Sequence, residues 1–275
     1  MKGLKDLARA VVPPSMWRTL QRSKRIWIAR NYKERQLKQN FNGFELTLHI
    51  TDPLAQHWYG QGNPTLAEVT ALRSGQLRQG ARVFDLGAHQ GVVAMVLAKI
   101  VGEHGSVIAV EANPYNAAVA IRNAASNYLP QLTVIPGAIA EASGTLRFGN
   151  DWGEQSPDAK GTEVEVLTLD QITDRFGPPD VIFIDIEGFE LKALLGGPRT
   201  LSTQPDLLIE VHLGGELAKH GGSLEKILRL LPDDRFELFG LDPLAEHTPT
   251  GMVPVPLAKA SFVDHRFFLL ARAKK

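Results

Sequence analysis

The sequence of 275 residues contains no cysteine, which excludes several kinds of chemistry at once. Disulfide bridges, zinc sites made of thiolates and cysteine nucleophiles are all ruled out. The lack of cysteine fits a reducing compartment. The N-terminal apolar patches are short and interrupted by charge, unlike a signal peptide. We therefore expect a cytoplasmic protein.

Long hydrophobic runs are missing as well. The longest strongly apolar stretch, residues 92–101, is too short to span a bilayer and contains Lys99. It is typical of a helix that is buried in a globular core. A chain of this length can bury one large core and carry a small accessory segment.

Net charge is zero in total, but it is distributed unevenly along the chain. Residues 1–40 hold 11 Lys/Arg and 2 Asp/Glu, whereas residues 41–275 hold 19 Lys/Arg and 28 Asp/Glu. A basic arm of charge +9 is thus joined to an acidic body of charge −9. The body has no extended basic stretch, which argues against a nucleic acid as the partner.

The apolar spacing predicts that this basic arm, residues 1–40, is helical. One predicted helix covers residues 1–12 and ends at two prolines. A second predicted helix is capped by Ser15 and runs to about Lys38. The second helix mixes tryptophan with many lysines and arginines. It either packs on the body or on a second subunit, or it lies on the inner face of a membrane.

Residues 41–80 are expected to form a preamble that caps the core. Its predicted elements are a strand at 44–50, a loop at 52–63 and a helix at 64–77. The loop carries His57, Trp58 and Tyr59, which either line a substrate pocket or attach the preamble to the core.

From residue 81 to the end, strands and helices alternate in the pattern of a single α/β domain. We predict strands at 81–86, 106–111, 132–136, 144–149, 163–168, 180–185, 206–211, 234–240 and 260–270. We predict helices at 90–101, 114–127, 170–176, 187–196 and 222–231. This order indicates a Rossmann-like, mostly parallel sheet with helices on both faces. The last two strands have no helix between them, so we expect an antiparallel C-terminal hairpin at one edge.

The most informative segment is the turn that follows the first of these strands. Residues 83–91 read VFDLGAHQG, and a second strand ends at Glu111, 26 positions after Asp85. This spacing fits a βαβ unit that binds a nucleoside-like ligand at a helix N-terminus. The second glycine of a G-x-G-x-x-G site is replaced by His89, and no P-loop is present, which disfavours ligands bound through a pyrophosphate or triphosphate.

S-adenosylmethionine is a nucleoside ligand without a pyrophosphate, and this turn suits it. Gly87 and Gly91 would let the backbone approach its amino-acid end, with Ala88 and His89 between them. Asp85 would accept a hydrogen bond from the ammonium group or from an ordered water. Glu111, followed by Ala112, would bind the two ribose hydroxyls, because one carboxylate can accept both.

The chain resembles the FkbM-type family of S-adenosylmethionine-dependent methyltransferases over roughly residues 44–270. The resemblance rests on FDLGA at 84–88, VEANP at 110–114, LTLD at 167–170, FIDIEGFE at 183–190 and IEVH at 209–212. It implies a seven-stranded methyltransferase sheet. It also implies methylation of a hydroxyl on a sugar, a glycan or a secondary metabolite. The family commonly has asparagine where this chain has His89.

Two further strand ends are predicted to lie in the same crevice, because ligands of open α/β sheets bind at the carboxyl ends of the strands. Asp185 ends one strand, is followed by Glu187, and would also contact the cofactor. His212 ends the next strand. Methyl transfer to a hydroxyl or an amine needs a group that accepts a proton. His212 is a candidate base and Asp185 is its rival. Alternatively, Asp185, Glu187 and His212 bind a divalent cation that acidifies the acceptor hydroxyl.

The adenine ring is expected next to Ala138 and Ile139, where a backbone amide could contact its edge. The polar segment 150–161 is predicted to be a loop over the pocket. Glu190 and Asp170 lie in first helical turns, where the helix dipole or a capping role would explain them.

These inferences favour a class I methyltransferase that uses S-adenosylmethionine and acts on a hydroxyl of a small-molecule or saccharide acceptor. Three alternatives stay open at this point: an N-methyltransferase of small molecules, an NAD-dependent oxidoreductase, and a non-catalytic, membrane-associated assembly protein that retains the cofactor fold.

Overall fold

The computed structural model describes residues 31–62, 66–148, 161–213, 215–241, 254–257 and 266–274. The predicted helix over 1–12 and the part of the second helix before residue 31 lie outside the described residues. The same holds for nearly all of the predicted loop at 150–161 and for the first part of the predicted strand at 260–270.

The described residues contain thirteen strands and nine helices. The strands are β1 (Arg35–Phe41), β2 (Phe44–Ile50), β3 (Arg82–Leu86), β4 (Ser106–Glu111), β5 (Leu132–Pro136), β6 (Ala138–Ile139), β7 (Gly144–Phe148), β8 (Thr162–Leu167), β9 (Val181–Ile184), β10 (Asp206–Val211), β11 (Phe236–Leu241), β12 (Val255–Pro256) and β13 (Phe267–Ala273). The helices are α1 (Pro53–Tyr59), α2 (Ala67–Leu72), α3 (Val92–Val101), α4 (Pro114–Ser126), α5 (Leu169–Phe176), α6 (Glu190–Leu195), α7 (Pro198–Ser202), α8 (Glu216–Lys219) and α9 (Leu224–Arg229).

The central sheet has the order β12-β11-β13-β10-β9-β3-β4-β5. Strands β10, β9, β3, β4 and β5 are parallel to one another, and β13 runs antiparallel between β10 and β11. Two smaller sheets accompany it: the β1-β2 hairpin and a three-stranded sheet of order β6-β8-β7. The predicted α/β fold with a mostly parallel, Rossmann-like sheet is confirmed.

Side chains of the central strands alternate between two hydrophobic cores, one on each face of the sheet. Along β4, Val107 and Ala109 belong to one core, while Ile108 and Val110 belong to the other. The first core also contains residues of the β1-β2 hairpin, α2 and α3, and the second contains residues of α5, α6, α7 and α9. Because successive side chains of a strand point to opposite faces, an apolar strand of this kind must be covered on both sides.

The chain order changes direction between β3 and β9, and this change positions the site. From β3 the chain winds through β4 to β5 on one side, whereas β9 and β10 lie on the other. The carboxyl ends of β3 and β9 therefore border a crevice of the type that binds ligands in open α/β sheets.

Several sequence-based expectations need correction. The second arm helix does not continue to Lys38, since residues 35–41 form β1 and pair with β2 in an antiparallel hairpin. The predicted loop at 52–63 contains α1, whose N-terminus is capped by Asp52 with Pro53 in the first turn. Helix α5 is capped by Thr168 in a capping box, and not by Asp170.

The end of the chain also differs in detail from the predicted edge hairpin. Strands β11 and β13 are antiparallel as expected, but β13 lies inside the sheet, and the short β12 lies beyond β11. The central sheet of the described residues therefore has eight strands instead of seven. Helix α6 begins at Glu190, three residues later than predicted, because Glu187 and Gly188 both have positive φ angles (53° and 101°) that a helix cannot include.

None of the helices in the described ranges has the length and apolar character needed to cross a bilayer.

Candidate active site

The turn after β3 is packed directly against the strand end that faces it. Gly87 has a φ of +95°, and a Cβ atom there would lie 1.8 Å from the carbonyl oxygen of Asp185. The amide groups of Gly87 and Ala88 both donate to the carbonyl of Val110, at 2.9 and 3.1 Å. Gly91, at φ +84°, ends the turn as the N-cap of α3. The turn thus requires glycine at position 87 for its backbone conformation and for the close approach.

Asp85 is a fully buried carboxylate in β3. Neither of its oxygens has a hydrogen-bond partner among the described residues. Burial raises the pKa of Asp85 to about 7, and the charge of Glu111 adds to the shift. A buried carboxylate without a partner is costly to folding, so its presence fits a cationic ligand such as the ammonium group of S-adenosylmethionine.

Glu111 at the end of β4 is fixed by two backbone amides. Its Oε2 accepts from the amide of His89 at 2.7 Å, and its Oε1 accepts from the amide of Asn113 at 2.8 Å. Burial raises the pKa of Glu111, and these hydrogen bonds oppose the rise. The side chain of Asn116 also hydrogen-bonds this carboxylate. A carboxylate has about four lone-pair sites, so Glu111 is held in place and can still accept from a ribose hydroxyl.

His89 connects the turn to helix α1. Its Nδ1 lies 2.9 Å from the hydroxyl oxygen of Tyr59, and its ring packs edge-on against Trp58 with 5.0 Å between centroids. Burial lowers the pKa of His89 to about 4, so the ring is neutral near pH 7. Tyr59 therefore attaches the preamble to the turn, while Trp58 stays half-exposed.

Tyr59 also shows how the carboxylates are arranged around the crevice. Burial raises its pKa, and the charges of Asp185, Glu111 and Asp85 raise it further. One side chain from α1 thus lies among acids contributed by three separate strand ends.

The predicted adenine region follows β5 directly and lies beside the ribose carboxylate. The amide of Gly137 donates to the carbonyl of Glu111 at 2.9 Å, and buried Ala138 and Ile139 form β6 immediately after it. Ala112 packs against the small apolar cluster that contains Ala138. The structure therefore places the residues predicted to contact adenine and ribose side by side.

Asp185 follows β9 and borders the opposite side of the turn. About a third of its side chain (34%) is exposed, but its Oδ1 is enclosed and has no hydrogen-bond partner. Burial raises the pKa of Asp185 well above its usual range, and the neighbouring Glu210 contributes to the rise. Glu210 is itself buried in β10 and forms an ion pair with Arg266, with 3.1 Å between Oε1 and Nη1.

His212, directly after β10, is oriented by a buried acid. Its Nδ1 lies 2.7 Å from Oε1 of Glu190, a side chain with no exposed surface. The same Oε1 accepts from the amide of Gly188 at 2.8 Å. Burial opposes protonation of His212, but the hydrogen bond and charge of Glu190, with the charge of Glu187, outweigh it and raise the pKa. Its Nε2 is buried without a hydrogen bond and lies 3.2 Å from Oε2 of Glu187 and 3.8 Å from Oδ1 of Asp185.

The predicted site residues thus form two groups around one crevice. Asp85, Gly87, His89 and Glu111 belong to the turn and β4, and Asp185 with His212 belongs to β9 and β10. Their roles stay predictions.

Sequence reasoning missed Glu190, whose position in a first helical turn suggested only a helix dipole effect. The adjacency of β9 and β10 was the signal, because it brings residues 187–190 beside the end of the next strand. The contact between Tyr59 and His89 could not be predicted from spacing.

Comparison with known proteins identifies the family of this chain. The model of the "Methyltransferase FkbM domain" matches residues 85–238, more than half of the chain. The chain therefore belongs to the FkbM family of S-adenosylmethionine-dependent methyltransferases. This membership sets aside the oxidoreductase and the non-catalytic alternatives.

Three solved structures that are similar to part of this chain carry the titles of methyltransferases. The FkbM methyltransferase of Methylobacillus flagellatus is 22% identical with a TM-score of 0.44, over 70% of this chain and 43% of its own. A SAM-dependent methyltransferase of Aquifex aeolicus is 16% identical with a TM-score of 0.42, over 80% and 93%. A SAM-dependent O-methyltransferase of Thermotoga maritima is 16% identical with a TM-score of 0.41, over 86% and 77%. A search of curated proteins found no match.

Proposed function

We propose that this enzyme transfers the methyl group of S-adenosylmethionine to a hydroxyl oxygen of a saccharide or another small molecule in the cytoplasm. The observation that carries the proposal is the buried pair of His212 and Glu190 beside Asp185, on the far side of the turn from Asp85 and Glu111. A hydroxyl is a weak nucleophile until its proton is removed, and this pair supplies a group that can accept the proton.

The cofactor would be held by residues whose positions are fixed by burial or by hydrogen bonds. Asp85 would pair with the ammonium group, Glu111 would accept from the ribose hydroxyls, and the backbone at Ala138 and Ile139 would border the adenine ring. When bound, S-adenosylmethionine supplies a methyl group that its sulfonium charge has already activated.

The chain's own contribution is alignment and proton handling. Gly87 is in close contact with Asp185, so the cofactor turn lies against the end of β9, next to the end of β10 that is followed by His212. Alignment of acceptor and methyl group supplies much of the rate enhancement in a direct displacement. His212 and Asp185 are the two groups that can accept the proton, and Glu190 fixes the orientation of the imidazole.

The test is to incubate the full-length protein with S-adenosylmethionine labelled in its methyl group and with an extract of small metabolites and saccharides. Mass spectrometry of the labelled product is expected to place the label on oxygen. The Asp85→Asn variant, analysed in parallel, is expected to give little labelled product. A label on nitrogen would replace the hydroxyl acceptor with an amine and leave methyl transfer itself standing.

A further inference from the structure

Among the described residues, three side chains at the ends of β9 and β10 form a group with the composition of a metal site. Asp185, Glu187 and His212 each offer one ligand atom, and these atoms lie within 4.8 Å of one another. Ligand atoms bound to one Mn²⁺ or Mg²⁺ ion at about 2.1 Å lie about 3–4 Å apart. The observed separations of 3.2 and 3.8 Å from Nε2 of His212 fall in that range.

The histidine is arranged as metal-binding histidines are. Its side chain is 8% exposed, its Nδ1 is hydrogen-bonded to Glu190, and its Nε2 has no hydrogen bond and is directed at the two carboxylates. A carboxylate on one ring nitrogen fixes the tautomer and leaves the other nitrogen free for a metal. This buried nitrogen is an observation separate from the presence of nearby acids.

The charges around the group are unbalanced. Asp185, Glu187, Glu190 and Glu210 lie close together. Among the described residues, His212 lies between them and Arg266 pairs with Glu210. Backbone strain is present as well, since Glu187 has a φ of +53°. Strained backbone and repelling carboxylates persist in folded proteins where function requires them.

We propose that Asp185, Glu187 and His212 bind a divalent cation of the Mn²⁺ or Mg²⁺ type, which positions and polarises the acceptor hydroxyl. This inference rests on the proposed transfer to a hydroxyl. It replaces the role of His212 and Asp185 as proton acceptors by a role as ligands, with Glu190 as the positioning residue of His212. The oxygen of the hydroxyl forms the new O–C bond while the S–C bond of the sulfonium breaks. The hydroxyl proton passes to solvent, and the sulfur leaves as a neutral thioether.

Because Glu187 is half-exposed, with 51% of its side chain accessible, it can be changed without disturbing the core. The experiment titrates Mn²⁺ into the chelator-treated full-length protein with S-adenosylhomocysteine present, and follows free Mn²⁺ by electron paramagnetic resonance. One ion per chain is expected to bind. Glu187→Gln is expected to weaken binding about tenfold or more, and Glu190→Gln by about 10–100-fold.

Glu216→Gln is the matched control, because Glu216 is another accessible acid near this loop and is paired with Lys219. It is expected to bind Mn²⁺ like the wild type. The proposal is overturned if the wild type binds S-adenosylhomocysteine but no Mn²⁺ up to about millimolar concentration, or if Glu187→Gln binds Mn²⁺ as tightly as the wild type. Loss of S-adenosylhomocysteine binding in the wild type would instead contradict the proposed function.

Discussion

At the scale of single residues, the central sheet contains buried acids in two different states. Asp206, in β10 at the opposite end of the sheet, is buried but accepts hydrogen bonds from the amides of Gln76 and Ala273 at 2.7 and 3.0 Å. Asp85 is equally buried and has no partner among the described residues. The first acid stabilises the fold, whereas the second costs stability in the unliganded protein.

Asp85→Asn is expected to weaken S-adenosylhomocysteine binding about 10–100-fold, because a charge-assisted hydrogen bond is lost. It should also stabilise the unliganded protein at alkaline pH. The pKa of Asp85 rises from 3.8 to about 7 on folding, so the folded state binds this proton more tightly than the unfolded chain does. The stabilising effect of that proton is complete below pH 4 and is lost as the pH rises through 7.

The asparagine side chain does not titrate. The free energy of unfolding of the variant should therefore exceed that of the wild type by an amount that grows between pH 5.5 and pH 8.5 to about 1–3 kcal/mol. Calorimetry of ligand binding and thermal unfolding at both pH values measure the two effects. Asp206→Asn is the matched control, expected to lose stability and to keep its ligand affinity. An unchanged affinity in Asp85→Asn would contradict the cofactor contact.

At the scale of elements, the turn between β3 and α3 determines the geometry of the site. Its predicted bounds agree closely with the structure, because an apolar strand, a glycine-rich turn and an apolar helix each leave a clear local pattern. Helix α1 was missed because its residues suggested a loop of aromatic side chains. The start of α6 was misplaced because a positive φ angle at a non-glycine residue, here Glu187, leaves no mark in the local sequence pattern.

Gly87→Ala tests whether the turn depends on close packing as well as on backbone freedom. An added Cβ atom would lie 1.8 Å from the carbonyl oxygen of Asp185, so the backbone has to move. We expect a loss of more than about 3 kcal/mol in the free energy of unfolding, measured by urea denaturation.

Gly80→Ala is the control for this change, because Gly80 also has a positive φ (+79°) but an added Cβ would meet nothing within 4 Å. Because only backbone strain is added, the free energy of unfolding should fall by only about 1 kcal/mol. Equal losses in the two variants would mean that contact with Asp185 is unimportant.

At the scale of the whole molecule, the alternation of strands and helices predicted the mostly parallel sheet, its two helical layers and the crevice, whereas the family resemblance implied seven strands where the described residues have eight. It did not predict the β1-β2 hairpin, because Lys38 and its neighbours belong to a charged run that resembles a helix. The pairing of His212 with Glu190 was also missed, because the helix dipole already explained Glu190 locally, although the adjacency of β9 and β10 indicated the contact. The basic arm before residue 31 stays a prediction.

Removal of residues 1–30 is expected to leave S-adenosylhomocysteine affinity within about twofold of the full-length value, because every contact assigned to the cofactor lies in the described residues. It also removes eight Lys/Arg and one acid, so any binding to anionic vesicles should be lost with it. Calorimetry and vesicle co-sedimentation measure the two effects. Vesicle binding that survives the deletion would place the membrane contact elsewhere.

The contact between Gly87 and the Asp185 carbonyl has a consequence for how substrate preference can diverge in such an enzyme. On this side of the crevice, the cofactor turn and the end of β9 are in direct contact. An acceptor of different size therefore cannot be accommodated by moving them apart. Helix α1 also contacts the turn, since Tyr59 and Trp58 pack against His89, and 49% of Trp58 is exposed. Changes in acceptor preference should therefore accumulate in α1, while the contact between the turn and the end of β9 stays constant.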